Sequence, residues 1–97
     1  MTQALESFDA LVRRFADDPE DPGEIARVDF AEAVRLGRDP LDVIAYLARL
    51  GRPVTTLDQL VDAINADEGE EELHAHRVAE GVAVSVASSG AWILFQA

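Results

Sequence analysis

Gly81 to Ala97 reads GVAVSVASSGAWILFQA, a run without one charged side chain in a chain that carries 19 acidic and 8 basic residues. Alternating valines, a Ser88-Ser89-Gly90 break and a second apolar run predict a β-hairpin. Alternate residues of a strand share a face, and glycine supplies the positive φ that a three-residue hairpin loop needs. Glu80-Gly81 marks a second turn, so Leu73 to Ala97 is expected to form a two- to three-stranded antiparallel meander. With these loops, Val82, Val84, Val86, Trp92 and Leu94 share one face with Leu73, Ala75 and Ala79. His74, His76, Val78, Ala83, Ser85, Ala87, Ile93 and Phe95 fall on the other. A two-residue loop at Ser88-Ser89 would redistribute these lists, since a one-residue slip turns every side chain over.

Such a sheet needs cover, and the sequence upstream supplies amphipathic helices. In residues 4–16, Leu5, Phe8, Leu11, Val12 and Phe15 recur at helical spacing, with Thr2 as the cap. The stretch DDPEDPGE (17–24) breaks that helix, and Asp21-Pro22 is compatible with a helical turn. Asp29 and Glu32 frame a capping box for a second helix, Phe30 to Leu36, stopped by Gly37. Asp39-Pro40 is expected to open a third helix that ends at Gly51. Thr56 and Gln59 open a fourth that ends near Ala66. DEGEEE (67–72) reads as a solvated connector. The predicted fold is therefore α+β: about four N-terminal helices, then the meander. It forms one domain over 1–97, with a helical part at 4–66 and a β part at 73–97. A rival reading makes Glu70 to Ala79 a fifth helix and leaves one terminal hairpin.

The net charge of −11 sets the partner classes. Such a chain repels phosphate backbones and anionic membranes over a Debye length of roughly 8–10 Å, which disfavours nucleic acid and favours a basic protein. All eight basic residues are arginine. With no cysteine, disulfides and thiolate chemistry are excluded. The N-terminal MTQALESFDALVRRF has early acids and no apolar block, so a cytoplasmic chain without a signal peptide is expected.

Few residues invite chemistry. His74 and His76 point to one side of a strand, and with Glu72 or Glu70 would make a ligand set for a divalent ion. On a helix the two rings would diverge by about 200° and the set would be lost. Ser85, Ser88 and Ser89 lack an activating motif, and the acidic runs lack the alternating pattern of a calcium loop. No cofactor and no catalytic residue is indicated. The expected function is a non-enzymatic protein–protein interaction module. Its contact would be Ile93 and Phe95 with Ala83 and Ser85, or the free edge of the last strand, binding a basic partner or a second copy as a homodimer. An acidic nucleic-acid mimic and a metal-binding protein are the alternatives. Pro40 to Ala66 followed by a terminal hairpin also resembles the element order of a winged helix. That resemblance implies a transcription regulator, with GEEELHAHRVAE at the recognition-helix position and Arg77 as its one basic residue.

Overall fold

The computed structural model describes residues 5–15, 23–66 and 73–97. The elements run α1 (Phe8–Phe15), β1 (Ile25–Asp29), α2 (Phe30–Leu36), α3 (Val43–Arg49), α4 (Leu57–Asn65), β2 (Leu73–Val78), β3 (Gly81–Val86) and β4 (Ala91–Gln96). The α+β class and the terminal meander are as the sequence predicts. The sheet, however, has four strands in the order β1-β4-β3-β2 and is mixed. β1 precedes the last three helices and pairs parallel with β4. The fold is thus not helices followed by a meander, because a strand from the helical half closes the sheet.

Local chemistry accounts for most of the helix ends. Asp29 accepts a hydrogen bond from the Glu32 N–H at 3.4 Å and Gly37 closes α2 at φ 69°. Gly51 (φ 77°) closes α3, with the Arg52 N–H donating to the Leu47 carbonyl and the Gly51 N–H to that of Ala48, the paired bonds of a Schellman turn. Thr56 Oγ1 accepts from the Gln59 N–H at 3.1 Å, and Gln59 Oε1 reaches back to Thr55.

Two helices start later than the sequence suggests. α1 begins at Phe8, where Ser7 Oγ accepts from the Ala10 N–H and Glu80 Oε1 from the Phe8 N–H. The two caps together cut the helix off from Leu5, which is exposed; Thr2 lies outside the described residues. α3 begins at Val43 rather than at Pro40. Asp39 still caps it, but from a distance: its buried carboxylate accepts from the N–H groups of Leu41, Val43 and Ile44 at 2.8–3.1 Å.

The hairpin register decides which side chains meet. The loop between β3 and β4 holds four residues, Ala87 to Gly90, because Val86 pairs with Ala91. The Gly90 N–H closes it on the Val86 carbonyl at 2.8 Å, with Gly90 at φ 70°. Compared with a three-residue loop, this slips β4 by one position and turns it over. Val82 and Val84 therefore share their face with Ile93 and Phe95, not with Trp92 and Leu94. The loop between β2 and β3 is Ala79-Glu80, since Val78 pairs with Gly81. That is a slip of two, so the predicted faces of these two strands survive.

Both faces of the sheet are covered. Val82, Val84, Ile93 and Phe95 pack under α2, α3 and α4, with Phe30 edge-on to Phe95 at 6.1 Å between ring centres. Ala83, Trp92, Leu94 and Val78 pack under Phe8, Leu11 and Val12 of α1. The sheet is the middle of three layers, and its two cores lie on opposite sides.

Candidate functional site

The expected exposed patch does not form. Ile93, Phe95 and Ala83 are each fully buried, Ile93 and Phe95 beneath α2–α4 and Ala83 beneath α1. Only Ser85 of that group is half-open. The last strand also has no free edge, because β1 occupies one side of it and β3 the other. The premise of a contact through Ile93 and Phe95 is corrected by the register slip and by the extra strand together.

The face under α1 gathers the remaining polar candidates. Pairing across the strands sets Ile25, Trp92, Ser85 and His74 in one row, and Arg27, Leu94, Ala83 and His76 in the next. The two histidines do share a side, as their spacing on a strand requires. His76 lies between Phe15 (5.3 Å) and Trp92 (5.8 Å), ring centre to ring centre. Burial is the main cause that lowers its pKa; His74 and Arg14 lower it further and Glu6 opposes them. A neutral imidazole packed between two rings serves as a wall of the α1 contact rather than as a free ligand. Among the described residues, no three or more His, Cys, Asp or Glu side chains gather where a metal ion would sit. Glu70 and Glu72 lie outside the described residues. Ser88 and Ser89 belong to the hairpin loop, where Ser89 Oγ accepts from the Ala91 N–H.

Two arginines brace α1. Arg27 of β1 reaches Asp9 at 2.9 Å and stands over the Phe8 ring at 5.3 Å. Arg14 pairs with Glu6 and stands over Phe15 at 4.7 Å. Exposed pairs of this kind add little stability, about 0–1 kcal/mol each.

The open features of the sheet are its two outer strands. Within a strand, N–H and C=O of one residue point to one side and those of the next residue to the other. The Glu24 carbonyl accepts from the Trp92 N–H at 2.8 Å, so Ile25 and Arg27 turn their backbone groups outward from β1. The Ala79 N–H donates to the Glu6 carbonyl at 2.9 Å, away from β3, so Arg77, Ala75 and Leu73 turn theirs outward from β2. Among the described residues, no backbone hydrogen bond reaches the Ala75 or Arg77 N–H from that side. β1 is blunted in the usual ways: it is short, it carries Arg27 and Asp29, and it runs straight into α2. β2 is one residue longer and also carries a charge, Arg77, but it has no proline and no bulge, its register with β3 is unbroken over six residues, and no helix follows it directly. At its start, Leu73 and Val86 meet Leu41, Val43 and Tyr46 around an open cleft of about 360 Å³. At its end, Arg77 pairs with Asp58 of α4 at 2.6 Å.

This edge is what reading the sequence alone misses. In LHAHRV the spacing displays a histidine pair, whereas its position at the rim depends on β1 taking the other side of β4. No protein-family model, curated protein or solved structure matches the chain. At the recognition-helix position of the winged-helix order, residues 73–78 are strand β2.

Proposed function

We propose that the chain is a small acidic protein–protein interaction module of the regulator, inhibitor, adaptor or assembly-chaperone kind. It works without catalysis, in the cytoplasm, and it binds a basic partner or a second copy through the rim of its C-terminal sheet. The observation that carries this reading is the outer edge of β2, a strand of unbroken register whose outward N–H and C=O groups take no backbone partner among the described residues. Such an edge is a template for another strand: main-chain bonds supply affinity and pockets for alternate side chains supply specificity. The charge of −11 adds steering toward a cationic surface and weakens as salt rises.

Light scattering combined with cross-linking mass spectrometry in a lysate of the native host tests the reading. The expected result is a dimer, or a captured protein whose cross-links map to residues 73–78. A strict monomer that cross-links to nothing refutes it.

A further inference from the structure

The surroundings of β2 restrict what can pair with it. α4 packs against the strand and carries no basic residue. Its Asp58 reaches Arg77, so the flank of α4 that bears Asp58 faces β2. Asp62 lies one helical turn further on that flank and is exposed. Two acids four residues apart on a helix are separated by about 6 Å along its axis. Alternate residues of a strand are separated by about 6.6–6.8 Å and point to one side. A strand laid beside β2 would therefore bring two alternate side chains opposite Asp58 and Asp62. The cleft at Leu41, Tyr46 and Leu73 lies at the other end of the same face, next to the start of β2. It is lined mostly by apolar groups and is large enough for one branched side chain.

We propose that the outer edge of β2 takes an extended segment of a partner protein, with one branched apolar residue for the Leu41–Leu73 cleft and two basic residues at alternate positions, one facing Asp62 and the other displacing Arg77 from Asp58. This rests on the interaction-module reading and narrows it to a partner class. A second copy fits less well, because two chains of −11 repel. In addition, the apolar residues of β2 itself, Leu73 and Ala75, already pack into its own core.

The test uses the whole chain and fluorescein-labelled nine-residue peptides. Ser-Thr-Val-Thr-Arg-Thr-Arg-Thr-Ser and its reversed sequence cover both strand directions. An isomer with the two arginines adjacent breaks the alternation, and a version with proline between them cannot pair. Fluorescence anisotropy should show one of the alternating peptides binding at least tenfold more tightly than the adjacent-arginine and proline forms. Ala75→Pro removes an outward N–H and leaves the ladder to β3 intact; it should weaken binding at least tenfold, as should Asp62→Lys. Trp92 fluorescence and the thermal midpoint check that both variants fold, and Leu41→Arg provides a third variant at the cleft. Hydrogen exchange should be fast at the Ala75 and Arg77 amides in the free protein and slow at least tenfold with peptide bound.

Equal binding of all four peptides would reduce the effect to charge and overturn the proposal. So would no binding at millimolar peptide, slow exchange at Ala75 and Arg77 in the free protein, or a homodimer that Ala75→Pro dissociates. A captured host protein held equally well by the wild type and by Ala75→Pro would keep the interaction module and overturn the β2 assignment.

Discussion

Phe95 separates a covered sheet from one with an open face, and replacing it gives the largest contrast. If Phe95 lay on an exposed partner patch, Phe95→Ala would change stability by less than about 0.5 kcal/mol, as surface substitutions do. Here the ring is fully buried between α2–α4 and the sheet. Losing it removes the transfer term and leaves a cavity, together about 3–5 kcal/mol. The edge-to-face contact with Phe30, at 6.1 Å and 86°, falls within that loss and contributes about 0.5–1.5 kcal/mol of it. Against a total of roughly 5–15 kcal/mol for a small domain, the variant should be close to half unfolded or worse at the low end. Urea denaturation followed by Trp92 fluorescence is the assay, since Trp92 is the only tryptophan. With a slope of about 1–1.5 kcal/mol/M the midpoint should fall by roughly 2–5 M, or folding should be lost outright. Phe30→Leu, Phe95→Leu and the double variant close a cycle whose coupling should be about 0.5–1.5 kcal/mol. A loss under about 1 kcal/mol for Phe95→Ala, or zero coupling to Phe30, would refute the register and the core drawn from it.

Other changes test other joints of the fold. Because the folded pKa of His76 lies below its ordinary value of 6.5, the unfolded chain binds more protons between the two. The His76 contribution to stability should therefore be complete above about pH 6.5 and fall as pH drops toward the folded value. Thermal midpoints from pH 4.5 to 8 should show this slope in the wild type and lose it in His76→Gln; an unchanged slope counts against the packed neutral imidazole. Gly81 sits at φ +155°, and a Cβ there would stand 2.1 Å from the Phe95 carbonyl oxygen. Gly81→Ala should cost more than about 2 kcal/mol in urea unfolding, and a near-neutral result would contradict the close approach of β3 to β4. Asp39→Ala strands three N–H groups at the start of α3 and should cost about 2–3 kcal/mol, whereas Asp58→Ala, which breaks an exposed pair, should cost under about 1. Equal effects in calorimetry would remove the distinction between a buried cap and a surface ion pair.

What the sequence made legible was local. The bounds of α2 follow from Asp29, Glu32 and Gly37 because cap chemistry acts within four residues. The same holds for Thr56 and Gln59 at α4. The misses were contacts between distant parts of the chain. IARVD shows neither a helical nor an alternating apolar pattern, and it becomes a strand only because β4 offers a partner almost seventy residues away. The faces of β4 hung on whether Ala87 belonged to a strand or to a loop, a one-residue question that turned Ile93 and Phe95 inward. For the candidate site, the side-by-side placement of His74 and His76 was readable from their spacing. The third and fourth partners of a metal site were not, and neither was the ring of Phe15 that packs on His76.

Gly81 to Ala97 carries the missing signal in its lack of charge. A strand covered on one face alternates apolar and polar residues, whereas a strand covered on both cannot carry charge without a large desolvation cost. GVAVSV and AWILFQ carry none, and they are the two inner strands. LHAHRV and IARVD carry His74, His76, Arg77, Arg27 and Asp29, and they are the two rims. Polarity thus sorts the four strands by position. The rims are also where side chains stay wet on one side and where, among the described residues, outward backbone groups take no backbone partner, which is why the proposed partner site is put there. Of the two rims, β1 is held by Arg27 through Asp9 and Phe8 and runs into α2, while β2 begins at a cleft and is met at its end by Asp58 of α4 and, beyond Arg77, by the Glu6 carbonyl on the Ala79 N–H. A strand added to β2 would become the new rim and leave β2 an inner strand. The added strand should itself therefore be half polar, as the alternating probe peptides are.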